Sequence, residues 1–124
     1  MARRDLIEER LTHSAIGAFF DVYNTLGYGF LEVGYAMALE RELIGRGHQV
    51  GREVWFPVMY KGRELCKQRV DMVVDERLVI ETKSGADLPK TGSRQLYNYL
   101  RATNLRVGLL LHFGPEPKFY RIVN

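Results

Sequence analysis

Asp71, Glu81 and Lys83 are two carboxylates and an ammonium that two short apolar segments can bring to one place. The runs Gln68-Arg69-Val70-Asp71-Met72-Val73-Val74 and Leu78-Val79-Ile80-Glu81-Thr82-Lys83 read as strands. Their two-residue period sets Val79, Glu81 and Lys83 on one side and Leu78, Ile80 and Thr82 on the other. The polar link Asp75-Glu76-Arg77 is short enough for a hairpin, which pairs positions whose numbers sum to about 152 and so sets Asp71 opposite or nearly opposite Glu81. Magnesium prefers hard oxygen ligands, and one or two carboxylates plus a substrate phosphate commonly complete its shell. A lysine beside such an ion can orient the attacking water or neutralise charge developing on the phosphate. The three residues therefore suit metal-assisted cleavage of a phosphodiester.

A Glu-x-Lys pair on a strand is, by itself, ordinarily a solvent-facing ion pair of little energetic weight. Here Val79, Ile80, Val70 and Met72-Val73-Val74 read as buried strands, in which charges need partners or a task.

Val70-Asp71 followed by Glu81-Thr82-Lys83 resembles the signature of the PD-(D/E)xK nuclease superfamily. Gly29-Phe30-Leu31-Glu32-Val33-Gly34-Tyr35 resembles the G-x-x-E-x-x-Y motif that names one small bacterial and archaeal family within it. Gln95 and Tyr99 are similar to the Q-x-x-x-Y motif of the helicase-associated branch, and the likeness runs from the helix around Ile16 to the closing Tyr120-Arg121-Ile122-Val123-Asn124. The resemblance implies a restriction-endonuclease-like α/β fold, a mixed central sheet flanked by helices, and a one-metal or two-metal nuclease site using magnesium or manganese. Val70 stands where the superfamily's name has proline; that proline is not a ligand.

The supporting residues have readings of their own. Glu32 falls in the first turn of a helix, where the dipole favours a carboxylate, and it can project toward the sheet edge as a third metal ligand. The competing reading is an ordinary N-terminal helix glutamate. Tyr35, one turn on, can bond the Glu32 neighbourhood or the substrate, or pack in the core with its hydroxyl satisfied. Gln95 and Tyr99 share one face of a later helix while Leu96 and Leu100 share another, so the spacing fits either an ordinary surface face or a pair in the cleft, Gln95 holding Lys83 or a phosphate and Tyr99 a base or a backbone oxygen. Lys90, Arg94 and Arg101 read as a solvated face that would add phosphate contacts if it lined the same groove.

The elements that must carry these groups follow from periodicity. Leu11, Ala15, Phe19, Val22 and Leu26, widened by Ile16 and Phe20, make a helical stripe that Gly27-Tyr28-Gly29 ends. A second helix is expected over 31–44, a long strand over 48–60, a turn at Lys61-Gly62 and a partner strand toward Val74. After the 78–83 strand come a loop, a helix over 93–103, a strand over 106–112 and a last strand over 118–123, with Gly114-Pro115-Glu116-Pro117 as a turn. A helix crossing over before Val107 gives a mixed sheet.

At 124 residues and 46% hydrophobic composition the chain suits one domain spanning 1–124. A net charge of +3 is compatible with an anionic partner without arguing for one unaided. The opening Met1-Ala2-Arg3-Arg4-Asp5 lacks a following apolar core of signal-peptide type, and no stretch approaches the roughly 18 apolar residues of a membrane span. A cytoplasmic protein without membrane partners is the expectation. A single cysteine, Cys66, excludes an internal disulfide and cysteine-ligated clusters, and it reads as a packed strand residue. His13, His48 and His112 read as structural or exposed, and Trp55 and Phe56 as core.

The sequence thus points to a metal-dependent nuclease that hydrolyses phosphodiesters, with DNA the expected polymer. Magnesium or manganese would be held by Asp71, Glu81 and Glu32, with Lys83 assisting water attack and Gln95, Tyr99 and Tyr35 at the substrate. The alternative is a noncatalytic nucleic-acid-binding or partner-binding module on the same fold. A homodimer or a helicase-type partner is compatible with the little surface one such domain offers a duplex.

Overall fold

The computed structural model describes residues 7–124, so the Met1–Asp5 opening lies outside the described residues. α1 (Glu9–Leu26) buries Leu11, Ala15, Ala18, Phe19 and Val22 at three- and four-residue intervals, as an amphipathic helix must. It stops at Gly27, whose φ of 73° turns the chain while its N–H caps the Tyr23 carbonyl. α2 (Glu32–Gly45) buries Tyr35, Ala36, Leu39 and Leu43.

Five strands follow, β1 (Val50–Tyr60), β2 (Arg63–Val74), β3 (Leu78–Ser84), β4 (Val107–Phe113) and β5 (Pro117–Val123), with α3 (Gly92–Thr103) between β3 and β4. Spatial order equals chain order. Neighbours are antiparallel except β3 and β4, which run parallel because α3 carries the chain back across the sheet. The mixed α/β sheet flanked by helices is as expected.

Each face of the sheet has its own core. α1 and α2 cover Met72, Val74, Leu78, Ile80, Leu109, Leu111 and Phe113. On the other face Leu96 and Leu100 of α3 cover Phe56, Val70, Val79 and Leu110. The β2–β3 hairpin pairs Met72 with Ile80, Val73 with Val79 and Val74 with Leu78, the register that the short link at Asp75 implied.

β1 and β2 are longer than their neighbour. β3 pairs with β2 only over Met72–Val74, so the hairpin beyond it stands out as a two-stranded arm, exposed over 63–69. Two expectations are corrected there. Trp55 is 61% exposed rather than core, and Cys66 is exposed rather than packed, because no helix or third strand covers the arm at those positions. Phe56 is buried against the α3 side as expected. Among the described residues no helix is long and apolar enough to cross a membrane.

Candidate active site

Strand alternation breaks at Asp71. Val70 packs on the α3 side, yet Met72, two residues on, packs under α1 and α2. The ladders lapse at the same place: β1 skips from Arg52↔Met72 to Val54↔Val70 with Glu53 at a φ of 53°, and the β2–β3 pairing ends at Met72↔Ile80. A local break in the ladder of this kind, with the register kept on either side, leaves backbone groups in need of partners.

The two carboxylates supply those partners. Asp71 N–H donates to Glu81 Oε1 at 3.1 Å. Thr82 returns two bonds, its N–H and its hydroxyl donating to Asp71 Oδ2 at 2.8 and 3.0 Å. Each acid thus satisfies the opposite strand where the regular ladder has parted. Thr82 was not singled out from the sequence; as the middle residue of Glu-x-Lys it carried no signal beyond its hydroxyl.

Glu81 is 7% exposed. Burial and the neighbouring Asp71 charge push its carboxyl up to about 8, against the Asp71 N–H and the Lys83 ammonium, which favour the charged form. The Asp71 side chain also favours the protonated form of Glu81. Lys83 is half-buried, on the Glu81 side of β3 by alternation, and opposite His112 across the parallel β4 ladder. His112 Nε2–H donates to the Gly85 carbonyl at 2.9 Å, which fixes the turn after Lys83, while its buried Nδ1 has no partner among the described residues.

Glu32 begins α2, as expected, and stays exposed. Protein crowded around its carboxyl, then the Asp71 charge, raises its pKa, while Lys83 and Arg69 pull it down. It therefore sits within electrostatic reach of Asp71 and Lys83, on the rim. Among the described residues no three His, Cys, Asp or Glu side chains converge as a metal-binding group, so the contacting acids are Asp71 and Glu81. Their donor chemistry fits a hard dication. Asp71 Oδ1 and Glu81 Oε2 accept no hydrogen bond among the described residues, and a cation replacing the Glu81 proton would relieve the repulsion that raises Glu81.

Gln95 is exposed and Tyr99 half-buried on the arm-facing side of α3. Tyr99 packs edge-on against Phe56, and burial followed by the Glu81 and Asp71 charges raises its phenol pKa, so its hydroxyl lies within the electrostatic field of the acids. Tyr35 is corrected. It is fully buried, stacked on Phe113 at 4.3 Å, and its hydroxyl donates to the Gly27 carbonyl at 2.6 Å while accepting from Phe30 N–H at 3.1 Å. It closes the loop that delivers Glu32 and has no surface to offer a substrate. Arg69, which the sequence reading passed over, reaches the same field: its charge acts on both Glu32 and Tyr99.

The chain matches the model of the PD-(D/E)XK nuclease superfamily over residues 9–122, and it belongs to that superfamily. A solved structure titled "Crystal structure of SSO0001" shares its fold, with a TM-score of 0.58 and 23% identity over 98% of this chain. The chain spans 61% of the length of that structure. No curated protein matches the chain in sequence.

Proposed function

We propose that this member of the PD-(D/E)XK nuclease superfamily is a metal-dependent nuclease of the G-x-x-E-x-x-Y group, acting on DNA as a single domain. The observation that carries the reading is the pair of half-buried Asp71 and buried Glu81, cross-bonded where two strands part and flanked by Lys83. A burial cost of this size is ordinarily retained where it does chemistry.

In this reading Asp71 and Glu81 hold magnesium or manganese, and Glu32 adds a third carboxylate from the rim. The bound ion would supply Lewis-acid polarisation of the scissile phosphoryl group. Lys83 neutralises charge building on the phosphate and orients the attacking water, a role that suits a half-buried ammonium beside an acid. Gln95 and Tyr99 hold the polymer backbone against α3. Thr82 and the His112–Gly85 bond keep the two strand ends in place, so the acids meet the phosphate without reorganising.

The test is incubation of labelled single-stranded and duplex DNA and RNA with the purified chain in magnesium, manganese or chelator, beside Glu81→Ala and Lys83→Met. Metal-dependent products that vanish in both variants support the reading and name the substrate. No cutting by the folded chain, alone or with added copies of a helicase-type partner, would leave the binding-module alternative.

A further inference from the structure

A groove runs between the β1–β2 arm and α3. The nearer part, of about 510 Å³, is lined by Trp55, Lys67 and Arg69 from the arm and by Gln95, Asn98 and Tyr99 from the helix. Gln68, Asn98 and Tyr99 also line the adjoining part, of about 590 Å³, which extends to Arg101 and Asn104. Tyr99 and Arg69 line the groove and lie within the electrostatic field of the acids, so the groove neighbours the candidate site.

Its chemistry is one-sided. Lys67, Arg69 and Arg101 line it and no carboxylate does; the acid nearest these cations is Glu53, 3.3 Å from Arg69 in an exposed pair that a phosphate can displace. Trp55 stands directly across the β1–β2 ladder from Arg69, is 61% exposed, and its ring has neither an aromatic nor a cationic partner among the described residues. A bare indole face next to cations and amide side chains matches an unstacked base with its phosphates. A duplex conceals its base faces and offers the indole nothing to stack on, so the fit is to a single strand.

We propose that this groove binds a single-stranded polynucleotide, with one base stacked on Trp55 and successive phosphates on Arg69, Lys67 and Arg101, and leads it to the Asp71–Glu81 pair. The proposal rests on the nuclease reading for what happens at the end of the groove, but the binding itself does not need cleavage. DNA and RNA share the recognised chemistry.

Trp55 is the chain's one tryptophan, so its fluorescence reports the groove directly. Oligothymidylate, oligouridylate and a blunt duplex are titrated into the purified protein in chelator, which silences cutting. The expected result is quenching by one or both single strands, weakened by added salt. By fluorescence anisotropy of labelled strands, Trp55→Leu should bind single strands about tenfold more weakly, with Trp55→Phe recovering most of the loss. Because Trp55 is exposed, circular dichroism should find both variants folded. Unquenched fluorescence together with equal single-strand affinity of wild type and Trp55→Leu overturns the proposal, as does tighter binding of duplex. Quenching and Trp55 dependence without metal-dependent cutting would uphold the groove and remove the nuclease reading. Cutting of single strands by Trp55→Leu at the wild-type rate, without quenching, would do the reverse.

Discussion

Asp71 and Glu81 are joined backbone to side chain: the Asp71 N–H donates to Glu81 Oε1 at 3.1 Å, at the point where β2 and β3 cease to pair. The acids are therefore structural partners of the opposite strand as well as candidate ligands. Function and folding can be separated there by the choice of substitution.

Asp71→Asn keeps a side-chain oxygen for the Thr82 N–H and hydroxyl, whereas Asp71→Ala leaves that N–H without its acceptor. Denaturant melts should put Asp71→Ala about 1–3 kcal/mol below wild type and Asp71→Asn much closer to it. Both should lose metal-dependent cleavage.

Glu81 should make the metal-free protein less stable as pH rises. Its folded pKa of about 8 exceeds the unfolded carboxyl value, so the folded chain holds a proton that the unfolded chain has released. Stability is then lost progressively between the ordinary carboxylate pKa and about 8. Glu81→Gln mimics the protonated acid, and in chelator at pH 8 to 9 it should melt higher than wild type. Each unit of raise is worth about 1.4 kcal/mol, so a gain of roughly 1 kcal/mol or more is expected. Equal melting curves across this range would mean that Glu81 ionises normally.

Tyr35→Phe removes the hydroxyl that bridges the Gly27 carbonyl and the Phe30 N–H but keeps the ring on Phe113. Thermal or chemical melts should show a loss of about 1–2 kcal/mol. Cleavage at a temperature where the variant is folded should persist, in contrast to the Asp71 and Glu81 variants.

Away from the acids, Ser14, His48 and Asp75 form a chain of bonds, both steps 2.7 Å, that ties α1 to the start of β1 and the β2–β3 turn. Burial raises the Asp75 carboxyl, but the Gln49 N–H, the His48 ring and the Arg77 charge outweigh it and hold it below its usual value. Its contribution is therefore present in full above about pH 3.9 and lost as pH falls further. Asp75→Asn should cost about 1 kcal/mol at neutral pH, after allowance for solvent screening, and the gap to wild type should close in acid melts.

Local signals carried much of this. The stripe from Leu11 to Leu26, the Gly27 break and the three-residue link at Asp75 set α1 and the β2–β3 register, because each depends on residues close in sequence. Alternation also put Glu81 and Lys83 on one side. It could not report that β3 is too short to cover the arm, which is why Trp55 and Cys66 read as packed and are exposed. Nor could it show Tyr35 meeting Phe113 from β4, a contact fixed only when α2 docks on the sheet. The break at Asp71 and the reciprocal bonds with Thr82 depend likewise on two strands parting in space.

The most direct test of the central claim, that the Asp71–Glu81 pair exchanges its proton for a divalent cation, is calorimetric titration of manganese into the metal-free protein at pH 7 in buffers of different ionisation enthalpy. Wild type should bind the ion with release of a proton, and Glu81→Gln, folded, should bind it far more weakly. Undiminished binding by Glu81→Gln, or none by the folded wild type, would contradict the account.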